Sequence, residues 1–480
     1  MNVTSALIDI GGSSVKVTIH NNNFGEIFSQ EKTLNPFVDG KHISLNPRQL
    51  LDSVIEVMNT AARDLPLGSL INEIYISSLR QGFCLISENI ETTPIYLNSD
   101  TSGEFSRSDI SNYGAQRIYE ETGHWFAPQL TLPKLINLFR KNPDLKNSKT
   151  NLLFVHDWLV WKLSGVILTE MTLVSAGQMA DLSKRMIHEN LLNHFELPSS
   201  LLPAPQSFGS LIGGLTSEIQ SQLSSHWSSA ELFVGGGDSH FLHLGASGNS
   251  PGKVVVSAGS STPISLLSST LGVSTILQPW KSTSFSESAY FLEGNLGYPG
   301  SFFGWLNKNA SKAIKSQEVN MNTLSKVPTV FGSCNMWNEE KWDSRPAFSI
   351  LGDHSQSSIE EIALGLTLDY SFALANQISA LIKDNFEINQ VVITGGGANP
   401  QIQAILKILI GIPVDIISSQ DAISNLFSSL SDEGPAPINY EELTSEIDSE
   451  TSEYLLMQSK KHAVLYEQVE GTRKVLENAQ

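Results

Sequence analysis

One local pattern occurs twice in this chain and limits what it can fold into. Ala6-Leu7-Ile8-Asp9-Ile10 is an apolar run broken by one acid, Gly11-Gly12-Ser13-Ser14-Val15-Lys16 follows as a glycine–serine turn, and Val17-Thr18-Ile19 resumes the run. Val254-Val255-Val256, the turn Ser257-Ala258-Gly259-Ser260-Ser261 and the run Thr262 to Leu267 repeat it. Both read as strand–turn–strand hairpins, and the repetition predicts two related halves. The 480 residues exceed what one hydrophobic core usually serves, so two domains are expected on size as well.

Each hairpin tip combines glycines, which let a ligand approach the backbone, with serine hydroxyls that donate hydrogen bonds. Such a tip suits phosphate oxygens, and Lys16 adds a positive charge to the first. Asp9, in the strand before it, could hold Mg²⁺ through water, since hard cations take oxygen ligands. The alternative is an ordinary hairpin with Asp9 at its rim. Neither the P-loop nor the dinucleotide fingerprint is present, because no GK[ST] follows the glycines and no helix opens there.

Two triple glycines punctuate the remainder. Ser229 to Val234 reads as a short strand, Gly235-Gly236-Gly237 as a turn, and Asp238 opens an apolar helical pattern through Leu244-Gly245-Ala246. Asp238 is either a general base or a helix N-cap, or both. Val391 to Thr394 is a strand, and Gly395-Gly396-Gly397-Ala398-Asn399 leads into a helix over Ile402 to Ile410. That turn either leaves a flat surface for an adenosine or packs strand tightly on helix.

Polar groups just beyond strand ends are where open α/β sheets bind ligands. After Ile74 to Ser78 and after Pro94 to Leu97 these are Arg80, Gln81, Asn98 and Asp100, candidate contacts to a hydroxylated substrate. For Arg80 a surface salt bridge is the plain alternative. Helices are expected from Pro47 to Arg63 behind Asn46, over Leu130 to Arg140 and Asp157 to Leu163, and from a capping box at Ser357-Ser358-Ile359-Glu360 to Ile382. Leu182 to Leu223 reads as helical segments in a connector. Asp432 to Ser459 holds eight acids and no lysine or arginine, a solvated segment before a final helix over Tyr454 to Val475.

A balance of 30 Lys+Arg against 49 Asp+Glu gives a net charge of −19, which argues against nucleic acid or an anionic membrane as partner. Cys84 and Cys334 stand in unrelated contexts, so neither a disulfide framework nor a zinc site is indicated. With no targeting pattern at Met1 to Ser5 and no apolar run of about 18 residues, the expectation is a soluble cytoplasmic protein.

Taken in order, these pieces resemble the FGGY family of carbohydrate kinases, within the actin and hexokinase-like ATPases. Asp9 to Lys16 resembles the family's first phosphate motif, with Gly12 in place of a threonine. Trp161-Lys162-Leu163-Ser164-Gly165, Thr169-Glu170 and Ser175 are similar to its Leu-Thr-Gly, Thr-Asp and Ser run. Gly235 to Asp238 resembles the catalytic-base motif, Ser257 to Ser261 the second phosphate motif with Thr262 replacing a glycine, and Gly395 to Ala398 the adenosine motif.

The resemblance implies an α/β fold of two ribonuclease H-like (actin-like ATPase) domains with a central cleft. It places a sugar-binding N-terminal domain at 1–246, an ATP-binding domain at 247–430 and an acidic segment with a terminal helix at 431–480. It implies transfer of the γ-phosphoryl group of ATP to a hydroxyl of a small sugar, ketose or polyol. Asp238 would be the base. Asp9 would place Mg²⁺. Gly11, Gly12, Ser13, Ser14, Lys16, Gly259, Ser260 and Ser261 would hold phosphates, and Gly395, Gly396, Gly397, Ala398 and Asn399 the nucleoside. Arg80-Gln81 looks more like the glycerol-kinase and autoinducer-2-kinase branches than the xylulokinases. A sugar-binding pseudokinase with a regulatory role and an ATPase driving conformational change are the competing readings, and a homodimer is the assembly considered.

Overall fold

The structure, a computed structural model, describes residues 4–21, 26–198, 200–274, 277–310, 317–334, 349–351, 355–430, 438, 440 and 447–477. The chain divides into two compact units. The first comprises Met1–Gly245, Lys281–Tyr290 and Leu426–Pro435; the second comprises Ala246–Trp280, Phe291–Asn425 and Ala436–Gln480. Five of the eight acids between Asp432 and Ser459 lie outside the described residues.

The first unit is built on a seven-stranded sheet. Its strands run in the order Leu211–Gly214, Glu231–Phe233, Glu73–Ser78, Thr4–Ile10, Ser14–Asn21, Glu26–Thr33, with the two-residue strand Gly236–Gly237 also on Glu73–Ser78. Thr4–Ile10 pairs antiparallel with Ser14–Asn21 and parallel with Glu73–Ser78. It is therefore a central strand, and Ala6, Ile8 and Ile10 are fully buried beside Val15, Val17 and Ile19. The helix Pro47–Ala62, capped by the Asn46 side chain on Gln49 N–H, covers this sheet with Leu50, Val54, Val57 and Met58. A six-stranded sheet in the same unit contains Thr150–Phe154, Phe83–Ser87 and Ile95–Tyr96.

The second unit repeats the arrangement around Lys253–Ser257. That strand pairs antiparallel with Pro263–Ser268 and parallel with Gln390–Thr394, which pairs parallel with Val414–Ile416. The duplicated hairpin is thus a duplicated topology: a hairpin whose first strand takes a later parallel neighbour.

Three local expectations change. The segment from Leu182 to Leu223, read as helical segments in a connector, also contains the strand Leu211–Gly214, which pairs with Glu231–Phe233; its short glycine-ended run gives no helical or alternating period to read. The capping box of the Ile359–Lys383 helix is Ser358 with Glu361, one residue later than expected. Gly236 and Gly237 extend the sheet, pairing with Ser77 and Ser78. None of Gly235, Gly236 and Gly237 has a positive φ.

The C-terminal helix Ser449–Glu477 is fastened to Ile359–Lys383 by buried polar contacts. Asp369, 1% exposed, accepts the Ser333 N–H at 2.8 Å and the Ser333 hydroxyl, and meets His462 Nε2 at 2.6 Å; Tyr466 Oη donates to Cys334 O at 2.8 Å. Removing one partner strands the others in an apolar setting. Asp369→Ala is expected to lower the stability of this unit by about 3–5 kcal/mol, read as a lower urea midpoint with an unchanged slope.

Candidate active site

In the first unit, sheet register brings distant residues together. Asp9 stands opposite Lys16 on one side and Ser77 on the other, and Ser77 stands opposite Gly236. Two residues past Gly236, Asp238 opens the helix Asp238–Ser247; two residues past Ser78 comes Arg80. Arg80 Nε lies 3.3 Å from Asp238 Oδ1, with the arginine side chain 11% exposed and the aspartate 41%. This is a partly buried pair with its carboxylate open to solvent, not the surface salt bridge held as the alternative for Arg80. Asp238 Oδ1 also accepts the Ser239 N–H at 2.7 Å.

Asp9 accepts the Ser77 hydroxyl at 2.7 Å. Burial pushes its pKa up to about 6, and the Asp238 charge adds to the rise, while the Ser77 bond and Lys16 oppose it. Two carboxylates that repel one another, with only part of the charge offset, make a place that a divalent cation would stabilise. Among the described residues no group of three or more His, Cys, Asp or Glu forms a metal cage. Mg²⁺ needs none, since it commonly takes one or two carboxylates and fills its shell with water and phosphate.

The first glycine–serine turn is tied by Gly11 N–H to Ser14 O at 2.9 Å and by Leu34 N–H to Ser13 O at 2.8 Å. A Cβ on Gly12 would stand 3.2 Å from Asn98 Oδ1, so this turn and Asn98 are neighbours. The structure brings Asp9, Gly12, Lys16, Arg80, Asn98 and Asp238 into one part of the unit. Asp100 is placed differently: it is fully buried, with Oδ2 accepting the Ile43 N–H and Oδ1 accepting the N–H and hydroxyl of Ser102. Those bonds shape the turn that carries Asn98. The Gln81 carbonyl accepts Lys134 Nζ at 2.9 Å and the Thr131 hydroxyl at 3.1 Å.

The supporting polar residues escaped sequence reasoning. Lys134 is 2% exposed and joins Gln81 O to Leu97 O, at 2.9 and 2.8 Å; burial lowers its pKa to about 7. Burial lowers His124 to about 4 and His240 to about 3, and the nearby Arg80 charge adds to the fall. Glu170 is buried and raised to about 8; it accepts the Thr172 N–H at 2.8 Å and the Thr172 hydroxyl. The signal available for them was a polar residue inside an apolar run, as in Val155-His156-Asp157-Trp158, which marks a buried site without saying what it touches.

At each glycine of the Gly235-Gly236-Gly237 triplet a side chain would crowd a neighbour. A Cβ on Gly235 would lie 1.9 Å from Ile76 O, on Gly236 2.7 Å from the Phe285 ring, and on Gly237 2.7 Å from Arg80 Cγ.

In the second unit a pocket of about 450 Å³ is walled by both remaining turns and the helix Pro299–Asn309. Gly259, Ser260, Gly396, Gly397, Ala398 and Asn399 line it; Ser261 and Gly395 belong to the same turns without lining it. Gly397 N–H donates to Ala258 O at 2.7 Å, and Gly395 has φ +93°, so the turns are locked together with glycine needed at 395. Gly300 lets the helix approach, since a Cβ there would stand 2.1 Å from Gly259 O. Asn399 caps its helix by accepting the Ile402 N–H at 3.0 Å. A flat glycine wall beside a hydroxyl-bearing turn can accept a nucleoside and its phosphates.

Residues 5–245 match the N-terminal domain of the FGGY family of carbohydrate kinases. The Bacillus subtilis (strain 168) protein YoaC, whose description as a sugar kinase is itself provisional, is 26% identical over 247 residues, 51% of this chain and 50% of its own. The chain spans about half the length of curated relatives such as this one. The glycerol kinase of Mycoplasma genitalium is 21% identical over 422 residues, 81% of this chain and 80% of its own. The fold is that of a xylulose kinase from Rhodospirillum rubrum, with TM-score 0.83 over 98% of this chain and 99% of that one at 15% identity.

Gly235→Ala and Gly237→Ala are expected to differ. The first drives a methyl into a backbone carbonyl and should cost about 3 kcal/mol or more. The second meets the Arg80 stem instead of backbone, so it should cost less than the first and displace Arg80. Thermal unfolding of the two variants checks this.

Proposed function

The chain belongs to the FGGY family of carbohydrate kinases, and we propose that it transfers the γ-phosphoryl group of ATP to a hydroxyl of a small sugar, ketose or polyol. The observation that carries this reading is the convergence of Asp9, Arg80 and Asp238 through three neighbouring strands. In this reading Asp238, its carboxylate half-exposed, takes the proton of the acceptor hydroxyl as the phosphoryl group arrives. Arg80 orients that carboxylate from one side and places a positive charge beside it. Asn98 and Gln81 add polar groups from turns that Lys134 and Asp100 hold in place. The pair Arg80-Gln81 suits a short open-chain polyol or hydroxyketone, whose hydroxyls each need a partner.

The pocket of the second unit takes the nucleotide, with its adenosine on Gly396-Gly397-Ala398 and phosphates toward Gly259-Ser260; in the first unit, Ser13, Ser14 and Lys16 make the glycine–serine turn a second place suited to phosphate oxygens. Asp9 is the residue that would hold Mg²⁺, which neutralises charge on the transferring phosphates. Such a reaction needs positioning and charge stabilisation more than reactive side chains. Cys84 and Cys334 are free and buried, and among the described residues no helix is long and apolar enough to cross a membrane. Both facts are in keeping with work in the cytoplasm.

The test is ADP release coupled to a reporter, over a panel of polyols and ketoses with glycerol included. Asp238→Asn is expected to fold normally and lose about 10²–10⁴-fold in kcat; a variant that keeps its rate removes Asp238 as the base. A second outcome concerns pH. Because Asp9 titrates near 6, a proton competes with the cation below that value, so apparent Mg²⁺ affinity should weaken as pH falls through about 6. Asp9→Asn should abolish that dependence along with most of the affinity.

A further inference from the structure

The glycine strand that carries Asp238 is held by a buried imidazole–carboxylate pair. Gly235 N–H donates to His156 Nε2 at 3.0 Å, and His156 Nδ1 lies 2.8 Å from Asp157 Oδ1. Asp157 Oδ2 accepts the Thr169 hydroxyl at 2.7 Å and the Phe154 N–H at 3.3 Å, and both His156 and Asp157 are 0% exposed. A backbone amide can only donate, so Nε2 must present its lone pair and the ring proton must sit on Nδ1, facing Asp157. We propose that His156 and Asp157 are positioning residues for Asp238: Asp157 fixes the imidazole tautomer, the bare Nε2 holds Gly235, and the glycine strand thereby sets where the carboxylate stands. The proposal rests on the reading of Asp238 as the base.

Several features support a positioning role over plain core packing. His156 is bound twice to the strand system, its own N–H donating to the Ser78 hydroxyl at 3.1 Å; Ser78 is the register partner of Gly237. Gly237 has a parallel anchor, its N–H donating to Thr172 Oγ1 at 3.4 Å. Both anchors come from one short stretch, 156–172, and grip the triplet at its first and last residues. Between them Gly236 pairs with Ser77, which holds Asp9. The strand cannot relax sideways, because no Cβ-sized gap separates it from Ile76 or Arg80. A shift in the anchors must therefore pass along the strand to Asp238.

The test uses the full-length protein with ¹⁵N-labelled histidine, the His156 signals being identified by their loss in His156→Gln. The wild type should show Nδ1 protonated and Nε2 bare. In Asp157→Asn the amide can donate to Nδ1, which moves the ring proton to Nε2, against the Gly235 N–H. That variant should lose about 10²-fold in kcat with KM for ATP unchanged. His156→Gln, whose Oε1 keeps an acceptor for Gly235, should retain most of the rate, and His156→Leu should not. Protonation at Nε2 in the wild type, or a wild-type kcat in Asp157→Asn with the tautomer moved, overturns the proposal. Equal losses in His156→Gln and His156→Leu that track the unfolded fraction overturn it too. Failure of the base assignment is read separately, in Asp238→Asn.

Discussion

Where Gly235, Gly236 and Gly237 pass beside the end of the Glu73–Ser78 strand, two backbones and an arginine stem approach so closely that a methyl group has no place between them. The rest of the first unit can be understood as what makes this contact possible. The parallel pairing of Thr4–Ile10 with Glu73–Ser78 brings Asp9 to Ser77. The pairing of Ser77-Ser78 with Gly236-Gly237 brings Asp238 to Arg80. Residues as far apart in the chain as Ser77 and Gly236 become neighbours through hydrogen-bond register, a more exact ruler than side-chain packing because a slip of one residue would reverse every side chain.

The duplication is one of topology more than of sequence. In each unit a hairpin supplies a glycine–serine tip, and its first strand is flanked by a parallel strand whose C-terminal end carries polar or glycine residues: Arg80-Gln81 in one, Gly395-Gly396-Gly397 in the other. Parallel strands gather their C-terminal ends on one side, and ligand groups collect there. From one plan, the first unit places charged side chains at that end and the second a nearly bare backbone.

Much of this was legible from residues. Asp9, Asp238 and the glycine turns stand in sequence contexts with few alternatives, and apolar runs such as Val254-Val255-Val256 announce central strands. The role of the Gly235-Gly236-Gly237 triplet was not legible, because a glycine needed for a left-handed φ and one needed for close approach look alike in a sequence. Gly395 is of the first kind, with φ +93°, and Gly235 of the second. Asp100 looked like a substrate contact because it follows a strand, yet its oxygens are occupied by Ile43 and Ser102. Lys134 and His156 were invisible as site residues, since they reach backbone groups far away in the chain: Gln81 O and Leu97 O for the lysine, Gly235 N–H for the histidine. Contacts of that kind leave no local pattern.

The first unit is not a continuous piece of chain. Residues 281–290 return to it, and they bring Phe285, which stacks on Phe208 at 3.8 Å beside Gly236, and Thr283, whose carbonyl meets His240 Nε2 at 3.0 Å. The family match ends at 245, so the stretch that similarity defines is smaller than the object that folds. A gene fragment cut at that border would lack its own lid over the glycine strand. Modules recognised by descent and modules defined by cohesion have different edges here, and an exchange of segments between relatives would have to respect the second kind.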